Sequence, residues 1–219
     1  MARRVVVALL GPVHWSPPGV DLAEWRAALA EDVIDLLATL NEVEVAVAVT
    51  PADRALADAL VWPGTAVYEV AEPTPNAVFA ALEGYEVAEP TPNAVFAALE
   101  GYDQAAVLVS DVPDLPALTV GKLLRPLTTR PVAVAPVEGG GPGLLGVAVR
   151  LPAPEWLPTL ELDTATPAEA RANAPRPGDV AVTAGWRRLR GPADLATLDP
   201  AFEGWEATRA LLSGSARPA

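Results

Sequence analysis

Residues 105–116 read AAVLVSDVPDLP. Five apolar residues give way to Ser110 and Asp111, the pattern of a strand covered on both faces with a carboxylate at its carboxyl end. Where strands alternate with helices, ligands bind in the crevice beyond those carboxyl ends, which makes Asp111 the first candidate for a functional group. The same position also suits a turn or cap residue whose side chain only satisfies nearby amides. The choice depends on what the rest of the chain builds around it.

Upstream, residues 4–10 (RVVVALL) are a continuous β-branched and aliphatic run, read as a buried first strand. The run stops at Gly11-Pro12, too soon for a signal peptide and without a small-residue cleavage pattern. Residues 21–40 place Leu22, Trp25, Leu29, Val33, Leu36, Leu37 and Leu40 at three- and four-residue spacing, with Glu24, Glu31 and Asp35 between them as a solvated face. That predicts a surface helix. Residues 43–49 and 65–70 read as strands, with a short proline-opened helix over 51–60. Downstream of Asp111, helices are predicted over 118–127, 167–173, 192–198 and 205–212, and strands over 131–135, 144–149 and 178–183. The alternation predicts an α/β fold: a mostly parallel doubly wound sheet with helices on both faces, a three-layer sandwich. The proline-rich stretch after Leu151 has no core of its own, so residues 1–212 are expected to form one domain and 213–219 a frayed tail. Trp156, Trp186 and Trp205 are expected to cluster in that stretch.

Composition narrows the chemistry. The chain of 219 residues carries 15 basic and 28 acidic side chains, a net charge of −13, which argues against a phosphate-backbone binder. It has no cysteine, so disulfides, thiolate metal sites and thiol nucleophiles are excluded, while the redox compartment is left open. The single histidine, His14, rules out an HExxH helix and is the one imidazole that could act as general acid or base; beside Trp15 and two prolines it also suits a structural role. No apolar run approaches the roughly 18 residues of a membrane helix, and a soluble, cytoplasmic protein with neither nucleic-acid nor membrane partner is expected. Gly121-Lys122 lacks the earlier glycine and following hydroxyl residue of a phosphate-binding P-loop.

Residues 68–84 read YEVAEPTPNAVFAALEG, and residues 85–101 repeat them without a change. Solenoid units run to about 20–50 residues and need about three copies, so this pair is a tandem duplication inserted into another fold. In each copy Thr74-Pro75 or Thr91-Pro92 offers a cap and a proline at the first helical position, and Gly84 or Gly101 closes the helix. Only one copy fits the slot beside the sheet. The second, which leads directly into the strand at 105, is expected there.

The segment 105–116 resembles the strand-then-aspartate segment of glycosyltransferase-A-type nucleotidyltransferases, whose relatives include sugar-nucleotide pyrophosphorylases and small guanylyltransferases. AEPTPNAVFAALEGYDQ (88–104) is similar to their nucleobase-contacting loop and following helix, APVEGGGPGLLGVAVRLP (135–152) to their strand, glycine-rich turn and strand, and RLRGPADLATLD (188–199) lies where they carry an aspartate before a proline-containing helix start. The resemblance implies that Asp111 holds a divalent metal, Mg²⁺ by its oxygen preference, bridging the phosphates of a nucleotide or nucleotide sugar. It implies Thr91 and Asn93, or Thr74 and Asn76 in the other copy, near the base, and Glu138, Gly139, Gly140 and Gly141 at the acceptor.

Two departures qualify the implied chemistry. The glycine-rich first loop is replaced by GPVHWSPPGVDLAEW, with no Arg or Lys between Arg4 and Arg26 to hold a triphosphate. Arg188 and Arg190 stand where a second metal carboxylate is expected; a guanidinium there repels a metal and either binds phosphate directly, the role assigned to Arg190, or pairs with acids. The expected function is therefore metal-assisted nucleotide binding with nucleotidyl or glycosyl transfer impaired, or else a non-catalytic interaction protein that retains the fold.

Overall fold

The computed structural model describes residues 2–83, 101–139 and 141–214. Seven strands form one sheet: β1 (Arg4–Leu9), β2 (Glu44–Val49), β3 (Ala66–Glu69), β4 (Gln104–Val109), β5 (Val132–Pro136), β6 (Leu144–Arg150) and β7 (Val180–Val182), in the order β3-β2-β1-β4-β6-β5-β7. The helices of the described residues are α1 (Leu22–Ala38), α2 (Arg54–Leu60), α3 (Pro75–Glu83), α4 (Ala117–Leu124), α5 (Pro167–Arg171), α6 (Pro192–Leu195) and α7 (Glu206–Leu212), with short 3₁₀ turns between some of them.

The aliphatic runs dictate the middle of the sheet. β1 lies between β2 and β4, parallel to both, with Val5 beside Glu44 on one side and Ala105 on the other. Val5, Val6, Val7 and Ala8 have no exposed surface, which only a strand covered on both faces permits. Because the chain runs from β1 outward to β2 on one side and from β4 outward on the other, right-handed crossovers put α1 and α4 on opposite faces. The sheet is mostly parallel, as the alternation predicts. β6 is the exception: it returns from β5 through the glycine turn and inserts, antiparallel, between β4 and β5. Gly146 makes that insertion possible, since a Cβ there would lie 2.6 Å from the Val107 carbonyl oxygen.

The proline-rich stretch packs into the main core, contributing Leu157, Leu160, Leu162, Ala165 and Val180. The expected tryptophan cluster does not form. Trp156 and Trp186 rest against the main core, whereas Trp205 is buried under the Arg209 guanidinium. The reason is that β7 and α7 send the surrounding segments to different elements. α4 stops at Leu124 instead of continuing to Leu127, because Pro126 has no amide to donate and the chain tightens into a 3₁₀ turn, Arg125–Thr128.

The repeated segment also departs from expectation. The first copy takes the buried place: Tyr68 pairs with Ala48 as part of β3, and after five intervening residues α3 buries Val78, Phe79 and Leu82. Pairing of β3 with β2 tethers that copy to the sheet, an advantage over mere proximity to β4. Residues 85–100 of the second copy, with Thr91 and Asn93, lie outside the described residues.

Candidate functional site

The topology changes direction between β1 and β4, so the carboxyl ends of those two strands frame the crevice where such sheets bind ligands. The crevice is present. It is lined by Gly11, Pro12 and Val13 after β1, Ser110 and Asp111 after β4, Pro73 before α3, and Glu161, Asp163 and Arg188 from the later chain. Its volume is about 90 Å³, against roughly 300–1,000 Å³ for sites that enclose a small-molecule ligand.

Arg188 fills the centre of this crevice. Its Nε donates to both oxygens of Asp111, at 2.7 and 3.0 Å, and Nη2 donates to Asp111 Oδ2 at 2.9 Å and to Asp163 Oδ1 at 2.7 Å. Nη1 donates to the Leu162 carbonyl at 3.0 Å. The Arg188 side chain is 5% exposed and that of Asp111 9%, while Asp163 is half-exposed. Burial works against the guanidinium charge, yet the adjoining carboxylates of Asp111 and Asp163 outweigh it and raise the Arg188 pKa. A planar fork meeting a carboxylate in this way is the strongest ordinary side-chain hydrogen bond available to a protein.

Local sequence explains how Arg188 arrives there. Trp186 bridges Val137 at the end of β5, and the Glu138 amide donates to the Trp186 carbonyl at 2.9 Å. Gly185 allows this approach, since a Cβ would sit 1.9 Å from the Pro136 carbonyl oxygen. The Leu189 amide then donates to the Asp111 carbonyl, and a parallel contact forms beside it: Asp114 accepts from Trp186 Nε1 and from Arg187. Segment 186–189 is thus strapped onto the segment that follows β4. On the other wall, buried Leu160 and Leu162 anchor a stretch in which Glu161 and Asp163 face the opening.

A divalent cation needs free oxygen ligands. Both Asp111 oxygens are occupied by a fixed positive charge, and the described residues contain no group of three or more His, Asp or Glu able to hold a metal. The residues do not fit a metal. In this structure the cation at the Asp111 carboxylate is Arg188 of the chain itself.

The remaining sequence candidates are dispersed. Thr74 is buried and its Oγ1 accepts from the Ala77 amide, capping α3; Asn76 bonds the Pro158 carbonyl and the Leu160 amide. Asn76 thus holds α3 against the later chain, while Thr74 caps it locally. His14 is exposed and outside the crevice lining. Glu138 and Gly139 are exposed beyond β5, also outside the lining, and Gly141 lies on the same open turn; Gly140 is outside the described residues. Arg190 is exposed and its guanidinium donates to the carbonyls of Asp163 and Pro142, so it ties the crevice rim to the glycine turn. Sequence reasoning missed Asp163 and Glu161. Their signal was the alternation Leu160-Glu161-Leu162-Asp163, apolar inward and acidic outward.

The β1–α1 loop brings no cation. Arg26, the nearest, donates to both oxygens of Asp53 at 2.7 and 2.8 Å and to the carbonyls of Leu10 and Gly11. Its Nε, Nη1 and Nη2 are all engaged within the protein.

Strand order, the switch between β1 and β4, and the antiparallel β6 together decide the architecture. The fold is that of the glycosyltransferase-A-type nucleotidyltransferases. A candidate nucleotide-diphospho-sugar transferase from Desulfovibrio desulfuricans G20 superposes with a TM-score of 0.56 at 16% identity, over 97% of this chain and 96% of that one. The 4-diphosphocytidyl-2C-methyl-D-erythritol synthase of Anaerococcus prevotii DSM 20548 gives 0.57 at 9% identity, over 96% of each chain. Glucosyl-3-phosphoglycerate synthase of Mycobacterium tuberculosis, solved with Mn²⁺, UDP and glucosyl-3-phosphoglycerate, gives 0.50 at 18%, over 99% of this chain and 81% of that one. Neither a protein-family model nor a curated protein sequence matches the chain. No helix among the described residues is long and apolar enough to cross a membrane.

Proposed function

We propose that this chain uses the nucleotidyltransferase-like fold as a non-catalytic interaction scaffold. The observation that carries the reading is the Arg188 fork on Asp111, which supplies internally the positive charge that a divalent metal would otherwise bring. Electrostatics agree. Asp111, Glu161 and Asp163 face one guanidinium already shared between two of them, so the crevice is net acidic and repels phosphate. The loop after β1 offers prolines in place of amide donors and no free cation to a triphosphate.

Thermal unfolding of the full chain with each nucleoside triphosphate, with and without Mg²⁺ or Mn²⁺, tests this. The expected result is no metal-dependent shift, and none after removal of residues 85–101, which would relieve any obstruction by the second copy. A ligand present at 100 times its dissociation constant stabilises by about 2.7 kcal/mol. A shift of that size that requires metal and disappears in Asp111→Asn would overturn the proposal and restore a metal-dependent nucleotide site.

A further inference from the structure

The opposite end of the sheet carries a second concavity. Between the α1–β2 turn and α4 lies a groove of about 290 Å³, lined by Leu40, Val43, Val120 and Leu124 together with Arg4 and Arg125. Lys122 is exposed on the same helix, and Leu118, one turn before it, is 67% exposed, more than any other large apolar residue described. Arg4 and Arg125 line the groove itself, and Lys122 and Leu118 are exposed on α4 outside the lining.

These cations lack acidic partners. Arg4, Lys122 and Arg125 form no ion pair with a carboxylate among the described residues, in a chain with 28 acids for 15 bases. Arg4 is held in place by Gln104, whose Oε1 accepts from its Nε at 3.0 Å, which orients the guanidinium without neutralising it. Of the acids nearby, Glu44 is engaged by Arg3 and Tyr102 and Asp103 accepts from the Arg3 amide, while Glu42 lies in the turn. Gly121 adds an independent observation. It lies inside α4, where glycine weakens a helix relative to alanine, yet a Cβ there would meet nothing within 4 Å. Internal packing therefore does not require the glycine, which leaves that stretch of the groove wall open to an approaching segment.

We propose that this groove docks a carboxylate-rich segment of a partner protein, with one apolar side chain entering the groove and flanking carboxylates meeting Arg4, Lys122 and Arg125. A short segment suits the charge distribution better than a long polyanion, because a chain of net −13 repels the latter over its whole surface while a local contact is screened beyond about 10 Å. The inference goes beyond the scaffold reading and concerns the far end of the sheet. Nucleotide titration tests the one and peptide titration the other, so their failures are distinguishable.

The probe is a fluorescein-labelled glutamate peptide interrupted by single leucines, titrated with the full chain and followed by anisotropy. Wild type is expected to bind it, less tightly at high salt. Lys122→Glu with Arg125→Glu is expected to weaken binding at least about tenfold. Gly121→Leu is expected to weaken it while raising the thermal midpoint, because the bulk blocks the groove as the helix gains propensity; a merely structural glycine would not separate the two readouts. Absence of peptide binding by wild type, equal binding by wild type and variants, or equal binding of all-glutamate peptide, duplex DNA or anionic vesicles would each overturn the proposal.

Discussion

Asp111 and Asp32 have lost nearly all contact with water, at 7% and 2% exposure, and the fold compensates them in different ways. Asp111 faces a full positive charge, the Arg188 fork. Asp32, in the middle of α1, faces the first turn of α7 and, among the described residues, no cation: the Ala207 and Thr208 amides donate to its two oxygens at 2.9 Å each. Burial pushes the Asp32 pKa up to about 6; the hydrogen bonds from Thr208 and Ala207 hold it back, and the nearby Glu206 charge pushes it further. Partial charges on amides offset desolvation incompletely, whereas a guanidinium brings a charge that itself needs a buried counter-ion.

The largest effect is expected from breaking the first arrangement on one side only. Arg188→Met leaves Asp111 and the inner oxygen of Asp163 without their donor, and should cost about 3–5 kcal/mol in urea unfolding at pH 7. Adding Asp111→Leu should recover much of that loss, since two apolar residues replace a buried pair at little net cost. A single-variant loss below about 1 kcal/mol would mean that the pair is solvated in solution and that the crevice is open after all.

Asp32 sharpens the comparison through pH. Its folded pKa, about 6, lies above the ordinary 3.8, so the folded state binds the extra proton. The stability this contributes is fully present below pH 3.8 and is lost as pH rises through about 6. Asp32→Asn, which does not titrate, should therefore gain on wild type by about 3 kcal/mol between those limits. Whatever constant offset the lost acceptor introduces, the slope of the difference carries the test. A flat difference across that range would show that water reaches Asp32 and would remove the contrast with Asp111.

The strands of the sheet were legible because a buried parallel strand leaves a continuous aliphatic run, as in residues 4–9, 44–49 and 104–109. The antiparallel placement of β6 was not, since LLGVAVR carries no mark of direction; only Gly146, required by contact with β4, hints at its neighbour. Asp111 was legible as the residue at the switch point. Its partner was legible only as an anomaly. Arg188 comes 77 residues later, and nothing local distinguishes an arginine that forks a buried carboxylate from one that pairs on the surface. Asp32 was hidden for a related reason: the donors that capture it come from α7, 175 and 176 residues away, and in the helical pattern it reads as one more acid beside Glu31 and Asp35. Elements follow from short-range periodicity, whereas compensation of a buried charge is a long-range property.

The Arg26–Asp53 pair is also bidentate, but end-on through Nη1 and Nη2 where Arg188 uses Nε and Nη2, and its setting is wetter, with side chains 19% and 26% exposed. Hydrogen bonding to Arg26 lowers the Asp53 pKa against the opposing effect of burial, and the Arg26 charge and the Thr50 hydroxyl lower it further. A depressed carboxylate pKa contributes stability above its ordinary 3.8, and that stability disappears as pH falls through the folded value. Arg26→Ala should accordingly cost about 1–2 kcal/mol at pH 7, part of it from the lost bonds to the Leu10 and Gly11 carbonyls, and less in acid where Asp53 takes a proton. The comparison with Arg188→Met in the same urea series sets a partly exposed arginine–carboxylate pair against a buried one. Equal losses at pH 7 would show that burial adds nothing to the strength of such a pair, and depth would then not be what fixes Arg188 in the crevice.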